Sequence, residues 1–340
     1  MKKKQKQIIT PRQEKILKKI IEEYTDTAQP ISSHQLKEKS FQSLSSATIR
    51  NDMSILEDYG LIVKNYSSSG RIPTTKGYQY YNDYLNHDII PENIKIQIND
   101  LMSKRNLSID EIIKQSVDII SKYTSLMSVS TNNYHKDLLK KIDLIVLNEN
   151  SALFIIVTSS GNLIKKEIDI NDPTNIEDVS ICVNIFNDRL VNTPLSEIQD
   201  KLDLLKEIIK GKIKSYEYVI QEIVNKIFKG IDWVNVHVGR TEQALVHPEF
   251  SDIKKLKKLL ILLNDVSVWK QIALNRQING KTSINFNDST GIEDISIAST
   301  NIDLKTSSHE ISMIGPERVT KAKAKILLEF LKKEIERNYK

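Results

Sequence analysis

A single cysteine in 340 residues leaves nothing to pair with inside the chain. An intramolecular disulfide is excluded, and Cys182, set between Ile181 and Val183, fits a reducing compartment. No apolar run approaches the roughly 18–20 residues that span a bilayer. The first residues are basic (Lys2, Lys3, Lys4, Lys6), but no apolar signal core follows them. Neither a membrane partner nor export is therefore expected, and the reading is cytoplasmic. The six histidines are scattered. None stands at metal-ligand spacing from Cys182 or from another histidine, so no metal is expected. Gly70-Arg71 and Gly77 are not followed by Gly-Lys-Ser or Gly-Lys-Thr, which excludes a phosphate loop. No nucleophile is paired with a base. Asp143, Glu149, Asp169 and Asp172 read as scattered surface acids rather than a catalytic set. Neither an enzyme nor a cofactor is expected.

What the chain has is charge in one place. With 39% hydrophobic and 27% charged residues it is a globular protein, long enough for two or three domains. Residues 1–87 hold 14 Lys and Arg against 9 Asp and Glu, while the remainder is balanced at 35 of each. The whole net charge of +5 thus lies in the first quarter. Such a block has the electrostatic character of a module that binds a polyanion.

That quarter carries three helix-start signals in succession. Thr10 can cap a helix with Pro11 at its first position and Gln13 at its third, a capping box. Ile16, Leu17, Ile20, Ile21 and Tyr24 form its apolar stripe. Ser32 and Gln35 repeat the box, with Ile31 and Leu36 as a staple, for a short helix to about Lys39. Ser45 caps a third helix, stapled by Leu44 and Ile49. Ile49, Met53 and Leu56 face inward, which turns Ala47, Arg50, Asn51 and Ser54 outward, with Ser46 and Thr48 beside them. An arginine fork can chelate guanine O6 and N7, an amide can chelate adenine N6 and N7, and small neighbours allow close approach to bases. In isolation such a face also fits a merely solvated helix side.

Gly60 ends the third helix as a left-handed residue. Leu61, Ile62 and Val63 read as a strand, residues 67–70 as a turn, and Arg71, Ile72 and Pro73 as the return. Arg71 is placed at the tip of this wing, where it can reach a phosphate or the minor groove. Tyr78, Tyr80, Tyr81 and Tyr84 with Leu85 read as a packing helix, Tyr78, Tyr81 and Leu85 sharing a face, in preference to a base-stacking platform. Three capped helices followed by a hairpin describe a winged helix–turn–helix.

The stretches Thr10-Pro-Arg-Gln-Glu-Lys-Ile-Leu17, Ser45-Ser-Ala-Thr-Ile-Arg-Asn-Asp-Met53, Leu56-Glu57, Tyr59-Gly-Leu61, Ser69-Gly-Arg-Ile-Pro-Thr74 and Lys76-Gly-Tyr78 together cover most of residues 8–85. They closely resemble the N-terminal domain of the HrcA family of heat-inducible transcription repressors. Pro248-Glu-Phe250 and Ile314-Gly-Pro316 with Arg318 resemble later motifs of the same family. Two other motifs depart from it. Gly239-Arg240 stands where the family usually has Asn after the glycine, and Ile284-Asn-Phe-Asn-Asp288 stands where Ile-Gly-x-Glu is usual. The resemblance implies a homodimeric repressor of chaperone operons. It implies an inverted-repeat operator, the CIRCE element, as double-stranded DNA partner, and assistance by the GroE chaperonin.

The rest of the chain reads as helix at 111–123, with Ile112, Ile113, Val117, Ile120 and Tyr123 lining one side. Strands are expected at 125–130, 142–147, 152–158 and 163–170, and helix at 176–187. Helix is expected from 195 to about 228, interrupted at Gly211, then a strand at 234–238 and a helix at 254–263. Strands at 283–286, 295–298 and 310–314 precede a closing helix from Glu317 to about Arg337. This order predicts an α+β multidomain chain. Residues 1–87 are the winged helix and 88–105 a linker or helical connection. Residues 106–192 with 265–340 form a domain that the resemblance implies is GAF-like. Residues 193–264 form a mostly helical insertion, a dimerisation domain on the same resemblance.

The expected DNA-binding residues are Ser46, Thr48, Arg50, Asn51 and Ser54 toward bases or nearby phosphates, and Lys64, Arg71 and Lys76 toward the backbone. Two other readings are compatible with the residues. One is a metabolite-responsive winged-helix regulator sensing through the GAF-like domain. The other is a protein-interaction module that docks through its wing and third helix.

Overall fold

A computed structural model of the chain describes residues 9–65, 70–85, 90–134, 136–148, 151–169, 176–212, 228, 234–276, 283–286, 292 and 294–339. Most of the wing turn at 67–70, the lysines at 2, 3, 4 and 6, and residues 213–227 of the expected long helix lie outside these.

The chain begins with helices α1 (Pro11–Thr27), α2 (Ser33–Ser40) and α3 (Ser46–Asp58). Thr10 and Ser32 close full capping boxes, and Ser45 caps α3 by accepting from the Thr48 amide at 3.0 Å. Ile16, Leu17, Ile20, Ile21, Leu36, Ile49 and Leu56 are buried together in one core. Each such side chain contributes about 1.5–3 kcal/mol relative to exposure. The end of α3 is a Schellman turn: the Leu61 amide donates to the Leu56 carbonyl and the Gly60 amide to the Glu57 carbonyl. Gly60 takes φ +68°, which a side chain disfavours.

Strands β1 (Ile62–Lys64) and β2 (Arg71–Pro73) pair antiparallel, with Lys64 opposite Arg71. Ile31 adds a bridge to the outer edge of β2 by exchanging two backbone hydrogen bonds with Arg71, both 2.9 Å. The chain then turns into α4 (Thr75–Tyr80), which widens into a π turn at Tyr81–Leu85. Gly77 is required there, because a Cβ on it would lie 2.0 Å from the Leu61 carbonyl oxygen. Tyr78, Tyr80 and Tyr81 are buried and Tyr84 is exposed. The expected shared face of Tyr78 and Tyr81 is packed, and Tyr80 is covered too, its hydroxyl donating to Glu14 at 2.9 Å.

The chain divides into two compact units. The first comprises Met1–Ser130, Val238–Asn301 and Ile311–Ile335; the second comprises Thr131–His237, Ile302–Glu310 and Glu336–Lys340. After the winged helix come α5 (Glu92–Met102) and α6 (Ile109–Thr124), packed on each other. Ile112, Ile113, Val117 and Ile120 of α6 are buried as expected, whereas Tyr123 is exposed. Strands β3 (Met127–Asn133), β4 (Leu139–Asn148), β5 (Ser151–Thr158) and β6 (Leu163–Asp169) precede α7 (Ile176–Leu190) and α8 (Ile198–Lys210). Next come β7 (Val234–Gly239), α9 (Ile253–Asn264), α10 (Val266–Arg276), β8 (Ser283–Phe286), β9 (Ile295–Asp303), β10 (Ser308–Pro316) and α11 (Lys325–Tyr339).

The strands form two larger sheets, one in the order β7-β3-β10-β9-β8, the other β4-β5-β6. The architecture is α+β, as expected, but the grouping differs from the sequence reading. The strands at 139–169 were expected to share a domain with those at 295–314. Instead they close a separate antiparallel meander. The reason is local. Leu139, Ile142, Phe154, Ile156 and Ile168 face Cys182, Phe186, Leu190, Ile198 and Leu202 of α7 and α8 in a core of their own. Cys182 lies inside that core, where burial pushes its thiol up to about 12 and leaves it unreactive at neutral pH.

β9 and β10 also run longer than expected. Their outer halves carry buried polar residues, including Thr300, Asn301, Ser308 and His309, which an apolar-pattern reading stops at. α10 was missed because its apolar residues do not fall on one face. The closing helix is broken by a π turn at Thr320–Ala324.

Candidate nucleic-acid interface

α3 has two sides of opposite character. Ile49, Asp52, Met53 and Leu56 are buried. Ala47, Arg50, Asn51, Ser54 and Asp58 are exposed, and Ser46 and Thr48 are half-buried at the flanks. The outward face expected from helical spacing is therefore present in full. Its first turn is held rigidly, since Ser45 Oγ also shares a 2.8 Å hydrogen bond with Thr48 Oγ1. Thr48 is thus partly engaged in the cap, and Arg50, Asn51 and Ser54 form the open part of the surface. A polar, small-residue face with one guanidinium and one amide, on a helix fixed from behind by a packed core, suits insertion into a major groove.

Each edge of α3 is braced by a carboxylate and an arginine. On one edge Asp52, fully buried, takes Arg12 Nε at 2.7 Å and Nη2 at 3.1 Å, and Gln13 Nε2 at 3.2 Å. Asp52 raises the Arg12 guanidinium above its ordinary value, chiefly through their hydrogen bond. On the other edge Glu57 takes Arg71 Nε at 2.9 Å. The Arg12 side chain is 52% exposed and that of Arg71 only 17%. Arg71 was expected at the wing tip. It opens β2 directly after the turn, paired with Lys64 at the turn end of the ladder, but its backbone is held by Ile31 and its side chain is turned to Glu57.

Lys64 is exposed on β1. Lys76 is exposed in the first turn of α4 and its ammonium donates to the Tyr59 carbonyl at 2.7 Å, just beyond α3. The structure thus brings Ser46, Thr48, Arg50, Asn51 and Ser54 onto one helix and sets Lys64 and Lys76 on the adjoining wing and α4. Arg12 and Asp52 were missed by the sequence reading. The only signal for them was a charged residue on the inward side of an otherwise apolar helix.

A second polar cluster joins the family-like motifs near the C-terminus to the end of α1. The Arg318 side chain, 6% exposed, donates Nε to Glu249 at 2.6 Å and Nη2 at 3.2 Å, and Nη1 to the Thr25 carbonyl. His247 Nε2 lies 2.6 Å from the Ser125 carbonyl, and burial first, then Arg318, holds this imidazole below its ordinary value. Lys321, buried, pairs with Glu317 and donates to Thr75 Oγ1 at 2.9 Å. Burial pushes its ammonium down to about 8. Arg240 occupies the position where the related motif has Asn. Its φ of +59° suits Asn better than Arg, and its guanidinium is fixed by Asp118. Among the described residues no group of His, Cys, Asp and Glu is arranged to hold a metal, and no helix is long and apolar enough to cross a membrane.

Comparison with known proteins agrees with this geometry. Residues 8–84 match the family profile described as winged helix-turn-helix transcription repressor, HrcA DNA-binding. Residues 110–322 match the HrcA protein C terminal domain. The chain is 46% identical over 330 residues to a protein of Mycoplasmoides gallisepticum named heat-inducible transcription repressor HrcA, covering 97% of this chain and 95% of that one. Proteins of the same name from Ureaplasma parvum (41%, covering 97% and 94%) and Mycoplasma genitalium (42%, covering 97% and 96%) are also similar. A solved crystal structure of a hypothetical protein shares the fold, with a TM-score of 0.65 at 19% identity over 97% of this chain and 98% of that one.

Proposed function

The chain belongs to the HrcA family of heat-inducible transcription repressors, a non-enzymatic DNA-binding role, and from that premise we propose how it acts. It represses chaperone operons as a cytoplasmic homodimer. The two α3 helices enter successive major grooves of an inverted-repeat operator of the CIRCE type, one half-site for each copy. Residues 1–87 form the reading module. Arg50 and Asn51 contact base edges, Ser46, Thr48 and Ser54 contact bases or adjoining phosphates, and Lys64 and Lys76 contact the backbone. Arg71 braces α3 through Glu57 and contributes to the surface mainly in that way.

The observation that carries this reading is the division of α3 into a packed face and an open face holding Arg50, Asn51 and Ser54. The dimer and the GroE chaperonin as activator rest on family membership. In that scheme heat diverts the chaperonin to unfolded proteins, active repressor falls, and the operons open.

The test is a nuclease footprint on DNA upstream of the cell's own chaperone genes, with and without chaperonin. The expected result is a protected inverted repeat whose occupancy rises when chaperonin is added. Protection of one half-site alone contradicts the dimer, and occupancy indifferent to chaperonin contradicts the activator. A folded protein that protects no duplex at low salt contradicts the DNA reading itself.

A further inference from the structure

We propose that Arg12 is a DNA phosphate contact, held in its pose from inside the fold by Asp52. The proposal rests on the reading of α3 as the groove-entering helix and adds a contact from a different element, α1.

The argument starts at the buried end. Asp52 has no exposed surface, so its carboxylate needs partners within the protein. Gln13, itself buried and committed to the α1 capping box, supplies one hydrogen bond to Oδ1. Arg12 supplies two more, from Nε to Oδ2 and from Nη2 to Oδ1. A fork of this kind fixes the plane of the guanidinium as well as its position. It also leaves Nη1 uncommitted among the described residues.

The exposed end decides between brace and contact. An arginine that serves only to pair with an acid of its own fold can be enclosed, as Arg318 is at 6% beside half-buried Glu249 and Arg71 at 17% beside half-buried Glu57. Arg12 is 52% exposed although its inner edge is fully engaged. Helical periodicity puts Asp52 on the α3 edge that carries Thr48, Asn51 and Ile55. Arg12 therefore stands alongside Asn51, while Arg71 occupies the edge of Glu57. A fixed guanidinium beside a helix that lies in a groove faces the sugar–phosphate wall of that groove. Phosphate oxygens accept from such a fork, and the contact carries no base information.

The test measures affinity of the full chain for an operator duplex and for a scrambled duplex across a salt series. R12A is expected to weaken both about tenfold and to lower the slope of log K against log salt by about 0.9 for each copy bound. R12Q can keep a hydrogen bond to Asp52 without the charge, so it serves in place of R12A if that variant fails to fold, and it is expected to show the same loss of slope. R12K is expected to restore the slope. D52N keeps the buried shape and frees Arg12 to move, so it weakens binding with the slope intact. The loss on adding R12Q to D52N is then smaller than in the parent. If R12A and R12Q lower the melting temperature but leave affinity and slope of the folded protein unchanged, Arg12 is only a counter-ion and the proposal falls. R50A separates this from the larger reading. A relaxed base preference in R50A with an unchanged slope in R12Q removes Arg12 alone, whereas an unchanged preference in R50A removes the α3 face as well.

Discussion

The outward face of α3 and the Arg318 cluster use the same materials to opposite ends. Each presents an arginine near other polar side chains, and each lies in a segment that matches the family. At Arg318 every direction is consumed: Glu249 takes the fork, the Thr25 carbonyl takes Nη1, and the side chain is almost fully enclosed. On α3 the core-facing side does the packing, and Arg50 and Asn51 face solvent. Residue type does not separate structure from recognition here. What separates them is where the hydrogen-bonding capacity goes once the fold has formed.

That contrast can be broken most forcefully at its buried end. Arg318→Met leaves Glu249 without its partner and the end of α1 without a donor, so it is expected to cost about 3–5 kcal/mol in chemical denaturation. The folded fraction should read operator DNA with unchanged base preference. Arg50→Ala inverts the pattern: about 1–3 kcal/mol of discrimination between operator and unrelated duplex is lost, with the unfolding midpoint unmoved. A large stability loss in Arg50→Ala would erase the distinction between the two regions.

Acidity offers a smaller and more selective probe. The folded state holds His247 below its ordinary value of 6.5, so the unfolded chain binds the extra proton more readily. Stability from this group is therefore complete above pH 6.5 and is lost as pH falls through the lowered value. His309, buried and pushed down to about 4, acts in the same sense in the second unit. Melting curves between pH 7 and pH 5 should fall for the parent and fall less for His247→Gln, while base preference stays constant. The smallest effect belongs to Lys76→Ala. It should weaken all duplexes alike, with a salt slope lower by about 0.9 per copy and no change in preference.

The winged helix was legible because its signals are short-range. Thr10, Ser32 and Ser45 each cap within three residues, and Gly60 closes α3 within one turn. The outward face followed from the inward one by periodicity alone. Arg12 and Asp52 escaped because they meet across 40 positions, and nothing near Asp52 in sequence marks it as buried. The engagement of Arg71 escaped for a related reason, since Glu57 and Ile31, which hold it, come from other parts of the chain. Among the sheets, each strand of the β4-β5-β6 meander was anticipated, but its separation from β9 and β10 was not. Strand patterns report which residues face a core and are silent on which core that is.

The direct test of α3 is chemical protection of guanine N7, which lies in the major groove. With dimethyl sulfate on an operator duplex, the parent protein should shield a guanine N7 in each half-site, and Arg50→Ala should lose that protection while still occupying the site at raised concentration. Identical protection by the parent and Arg50→Ala at full occupancy would contradict the account.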